Sequence, residues 1–128
     1  MDLPPRDAAR VYGAGRVAIG AALVVAPRLL GRIWLGAPAA TPAGAVALRA
    51  LGVRDVVLGG IAVHTLDHPD VAPRWQRTCA AVDAFDLVAT VAARRSLPPV
   101  GSALVIGIAA AGAATGAWLG GALSRPAP

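Results

Sequence analysis

Four mostly apolar stretches, at about 8–26, 46–66, 75–94 and 101–122, alternate with short polar or proline-bearing connections along this chain. Each comes close to or exceeds the roughly 20 residues that a helix needs to cross a bilayer. The last lies within a run from Ser96 to Ser124 that holds no charged residue at all. Asp7 is placed to cap the first helix, and Pro27, which cannot continue a helical hydrogen-bond ladder, is placed to end it. The next segment, PRLLGRIWLG, groups Leu29, Leu30, Ile33 and Trp34, with Arg28 and Arg32 four apart on another face. That pattern predicts a short amphipathic helix lying along the headgroups. Prolines then mark a loop at 37–44, a connection at HTLDHPDVAP and a turn at Pro98 and Pro99. Four helices joined by short connections alternate in direction. The expectation is therefore an all-α fold: a four-helix transmembrane bundle with a short interfacial helix after the first span, forming a single integral membrane domain over 1–128.

Three or more residues in from their ends, six charged residues interrupt these stretches: Arg16, Arg49, Arg54, Asp55, Asp83 and Asp86. A charge near the bilayer centre costs about 2.5–3.5 kcal/mol on insertion scales, so such residues pair inside a bundle or mark a functional site. Two Asp at that cost outweigh Val82, Phe85, Leu87, Val88 and Val91 at about 0.3–0.6 kcal/mol each, so the third stretch needs partners in order to insert. A helix rises about 1.5 Å per residue, which puts Arg54 and Asp86 at one level, roughly 12 Å from the same membrane face. On that ruler Arg16 and Asp83, at roughly 15 and 16 Å, form the second pair. Asp83 and Asp86 are three apart and project from one side of their helix. Arg49, Arg54 and Asp55 point in three directions, so the second helix is expected to be surrounded at mid-depth. Arg49, about a turn from the interface, can instead snorkel to headgroups. The six residues define a candidate buried ionic layer, read either as a static network that fixes helix register or as the wall of a polar cavity.

Composition agrees with a membrane setting: 56% of residues are hydrophobic and the mean hydropathy is +0.62, too apolar for an ordinary soluble domain. All charges are Arg or Asp, and Lys, Glu and Asn are absent while Ala, Gly, Val and Pro abound, as in a high-GC bacterial genome. The net charge of +5 would suit nucleic acid in a soluble protein, but the arginines are scattered and form no basic patch. Anionic lipid headgroups are the expected partners of the exposed arginines. The multi-pass chain is placed in a cell membrane, the inner membrane of a bacterium. Tyr12, Trp75 and Trp118 fall at one face and Trp34 at the other, as interfacial aromatics do. Five terminal-side arginines against four opposite leave the orientation open.

Two small-residue patterns predict close helix packing: Ala14, Ala18, Ala22 and Ala26 in the first helix, and Gly112, Gly116 and Gly120 in the fourth. The glycine pattern serves packing within the chain or dimerisation. His64, Asp67, His68 and Asp70 share one connection that Pro69 breaks, and they are read as an exposed polar turn rather than a metal site. Cys79 is the only cysteine, so no internal disulfide or CxxC motif exists. GAGRVAIG lacks both GxGxxG spacing and a preceding strand, which removes a nucleotide role. No nucleophile, base and orienting group come together as a hydrolase requires. No cofactor is expected.

GRVAIGAALVVAP at 15–27, RALGVRDVVLGG at 49–60 and DAFDLVA at 83–89 resemble small bacterial four-helix membrane proteins of unknown function, distantly DoxX-like. The resemblance covers most of the chain and implies four spans, but transfers no activity. The quinone and thiol redox chemistry linked to DoxX-like proteins finds no cysteine pair or haem-type histidine pattern here. Two functions are expected from the residues. One is a non-enzymatic structural or accessory membrane subunit, working as a homo-oligomer or beside a membrane partner. The other is a small homodimeric transporter or channel for a proton-coupled or anionic solute.

Overall fold

A computed structural model describes residues 3–125, which form an all-helical fold with no strand among them. Five α-helices follow in order: α1 (Pro5–Val25), α2 (Pro27–Leu35), α3 (Pro42–His64), α4 (Ala72–Ala93) and α5 (Pro99–Ala122). By themselves, α1 and α5 are long and apolar enough to cross a membrane.

Prolines open these helices, and three of them, Pro42, Pro73 and Pro99, do so where the sequence reads a loop or turn. Pro5, Pro27, Pro42, Pro73 and Pro99 all occupy N1 or N2 positions. A first-turn N–H has no intrahelical partner, so its loss costs nothing there and the fixed φ suits the helix. The four long helices thus begin two to four residues before the expected boundaries. Asp7 does not cap α1; it sits in the first turn, 3.3 Å from Arg10. The cap that does form is at α3, where Thr41 Oγ1 accepts from the Gly44 N–H at 3.0 Å. Between α2 and α3 the chain reverses at Gly36, whose φ of 71° favours a residue without a side chain.

The long helices pack as two antiparallel pairs, α1 with α3 and α4 with α5, and the pairs touch each other less closely. In α1 the buried positions are Ala9, Gly13, Arg16, Gly20 and Leu23, a four-three alternation that forms one face. Gly20 lies against Gly52 and Gly13 against Gly59, and a Cβ on Gly20 would stand 2.5 Å from the Gly52 carbonyl oxygen. This seven-residue spacing, not the expected alanine stripe, carries the contact. Ala14, Ala18 and Ala22 are exposed, because their four-residue row runs on the far side of α1.

Gly112, Gly116 and Gly120 face α4 of the same chain. A Cβ on Gly116 would meet Ala80 Cβ at 3.0 Å, and one on Gly120 would meet the Arg77 side chain at 2.6 Å. Of the two uses expected for this pattern, packing within the chain occupies the face. Arg77 also ties down the end of α5, its Nη2 donating to the Gly120 carbonyl at 3.0 Å and to Ser124 Oγ at 2.9 Å.

The apolar core is split in two. One cluster, Ala9, Leu66, Ala72 and Leu119, sits at the end of the chain's termini. The other, Leu23, Ala39 and Leu48, sits at the α2 end with Trp34 and Leu51 against it. Between them lies the charged layer.

Candidate functional site

The site forms where the two helix pairs meet. Arg16 stands on the buried face of α1 between Gly13 and Gly20, so its guanidinium enters the middle of the molecule. Its Nη2 donates to Asp55 Oδ1 on α3 at 2.9 Å, and its Nη1 donates to Asp83 Oδ1 on α4 at 2.5 Å. Arg54 grips Asp86 with both terminal nitrogens, at 3.0 Å and 2.5 Å, and Nη2 also lies 3.3 Å from Asp55 Oδ1. Such bidentate pairing matches guanidinium geometry to a carboxylate. Charges therefore alternate in sign through Asp83, Arg16, Asp55, Arg54 and Asp86. Both ends of that series lie on α4, three residues apart, so it closes into a ring joining α4, α1 and α3. The Arg16 and Asp83 side chains are only 8% and 12% accessible, while Arg54 is 32% accessible.

Tyr12 completes the ring. Its hydroxyl donates to Asp83 Oδ2 at 2.7 Å and stands 3.2 Å from the Gly112 carbonyl, which brings α5 into the network. Arg16 Nη1 in turn donates to the Tyr12 oxygen at 3.2 Å. This corrects the assignment of Tyr12 to an interfacial belt. The signal is its place four residues before Arg16, which puts both side chains on one helix face.

Arg49 stands outside the ring. Its side chain is exposed and Nε donates to the Val24 carbonyl at 3.3 Å, near the C-terminal end of α1. Five residues separate it from Arg54, and at 100° per residue that spacing turns it away. Arg49→Gln is expected to change stability by less than about 0.5 kcal/mol, as for other exposed substitutions, measured as the thermal midpoint in detergent.

Of the HTLDHPD residues, His64 and His68 bring their ring centroids to 6.1 Å, while exposed Asp67 pairs with exposed Arg6. No three His, Cys, Asp or Glu side chains converge as a metal site among the described residues. Cys79 is buried.

A cavity of about 530 Å³ reaches the ring from the side of α1 and α5. Its walls are apolar: Val11, Ile19 and Leu23 of α1, Leu104 and Ile108 of α5, and Trp34 of α2 at one end. Tyr12, Arg16, Asp55, Asp83 and Asp86 line it where it meets the ring. No residue-level signal in the sequence marks this space, because it is what remains between helices that belong to different pairs. The chain matches no family model, and neither the curated proteins nor the solved structures contain a match to it.

Proposed function

We propose that this chain is a multi-pass membrane protein in which α1, α3, α4 and α5 all span the bilayer, the four spans that the DoxX-like resemblance implies, and α2 lies at one interface. Its role is that of a non-enzymatic structural or accessory subunit whose ionic ring locks the two helix pairs in register. The observation that carries this reading is the inverted distribution of polarity. On α4, Phe85 is 72% and Val88 66% exposed, while Asp83 beside them is 8% exposed. In water that arrangement exposes large apolar groups and buries charge, both unfavourable. In lipid the apolar faces meet their own kind, and ring pairing offsets the insertion cost of α3 and α4. At about 1.5 Å per residue, the 23 residues of α3 and 22 of α4 reach beyond a hydrocarbon core of about 30 Å.

Single cysteines at Leu3, Thr41, Asp70, Ser96 and Ser124, in a Cys79→Ala background, test the topology with an impermeant maleimide. Four spans require positions 3, 70 and 124 to label from one side and 41 and 96 from the other. Labelling of 41 and 70 from the same side would sink the proposal, because α3 would then not cross. Transport by a homodimer is the second reading, favoured by the cavity that reaches Asp55, Asp83 and Asp86.

A further inference from the structure

The ring's charges do not cancel. With Arg49 outside, two guanidiniums, Arg16 and Arg54, face three carboxylates, Asp55, Asp83 and Asp86, so the formal sum is one negative charge. One carboxylate oxygen is left without a donor. Both oxygens of Asp86 accept from Arg54, and those of Asp83 accept from Arg16 and Tyr12. Asp55 uses only Oδ1, for both arginines. Its Oδ2 accepts no hydrogen bond and is not sealed in, and Asp55 lines the cavity.

We propose that the cavity between α1 and α5 binds a hydrophobic molecule carrying a single positive charge, with the charge against Asp55 and the apolar body along Val11, Ile19, Leu104 and Ile108. Charge complementarity selects the occupant. An anion would meet a site already negative, which turns the transport reading away from anionic solutes. A neutral lipid tail would leave the ring's surplus negative charge unbalanced in a low-dielectric setting, where net charge is costly. The volume, about 530 Å³, falls in the range of roughly 300–1,000 Å³ typical of small-molecule sites. The mouth is flanked by Val11, Ile19, Leu104 and Ile108, all about half exposed or more, so a ligand dissolved in the bilayer enters sideways without crossing a polar barrier.

The inference rests on the membrane reading of the chain, and its test separates the two. Tetraphenylphosphonium and tetraphenylborate have nearly the same shape and opposite charge. Equilibrium dialysis of the purified full chain in a nonionic detergent, corrected for empty micelles, is expected to show the phosphonium binding at least tenfold more tightly than the borate. Asp55→Asn should lower phosphonium affinity at least tenfold. Since Asp55 also belongs to the ring, Ile108→Trp provides a second variant that narrows the cavity and leaves every charge in place. It too should lower phosphonium affinity at least tenfold. Equal binding of the two ions, or undiminished phosphonium binding by Ile108→Trp, overturns the proposal. A chain that shows four spans by cysteine labelling yet binds neither ion overturns this inference alone.

Discussion

Arg16→Leu is expected to cost on the order of 3–5 kcal/mol of stability, the range for stripping one partner from a buried ion pair. No other residue in the ring has as many dependants. Its guanidinium serves Asp55, Asp83 and the Tyr12 oxygen together, so its loss leaves Arg54 alone against three carboxylates. Removing Asp83 as well should restore most of the loss. The double variant keeps Arg54 with Asp55 and Asp86, the same surplus of one negative charge as the native ring. Tyr12, having lost Asp83, still has the Gly112 carbonyl 3.2 Å away. Folded yield and thermal midpoint in detergent, measured for Arg16→Leu, Asp83→Leu and both together, decide the matter. A double variant as damaged as the sum of the singles would show that the two residues are not coupled.

Helical rise alone ranks Arg16 with Asp83 and Arg54 with Asp86, and the contacts join those same residues, because depth is a one-dimensional quantity that a sequence encodes directly. Azimuth is encoded only relative to the helix itself. Arg49 and Asp55 look equivalent until the position of α1 is known; then Asp55 faces the ring and Arg49 faces outward. The distance of Tyr12 from the helix end gives only its depth, whereas its role follows from sharing a face with Arg16. The helix starts moved for a local reason: proline excludes a helix interior yet fits a first turn, and both meanings are written with the same letter. The apolar stripes show a similar ambiguity. Alanine and glycine both count as small, so a four-residue alanine row and a seven-residue glycine row compete on the same helix. Backbone contact decides between them, since only a residue without Cβ permits it. The cavity has no local signature at all, being bounded by α1, α2 and α5 from distant parts of the chain.

The seven-spaced glycines give the second large effect. A Cβ on Gly20 would stand 2.5 Å from the Gly52 carbonyl oxygen and 2.8 Å from the Val56 nitrogen, and one on Gly52 would stand 2.6 Å from the Gly20 carbonyl oxygen. These obstacles are backbone atoms and cannot swing aside as a side chain would. Gly20→Ala must therefore push α1 and α3 apart, at a cost of about 1–3 kcal/mol, as for other overpacked cores. The displacement also reaches the ring, since Arg16 lies one turn from Gly20 and holds Asp55 across that same contact. Gly60 and Gly107 provide the contrast, as nothing lies within 4 Å of a Cβ built on either. Alanine there should be neutral or should stabilise by up to about 1 kcal/mol, because glycine is the poorer helix former. The paired variant, Gly20→Ala with Gly52→Ala, should lose much less than the two singles added together, since one separation of the helices relieves both clashes. Thermal midpoints in detergent for the five variants test the contact. Strict additivity of the pair, or a loss at Gly60 equal to that at Gly20, would show that α1 and α3 do not meet through these glycines.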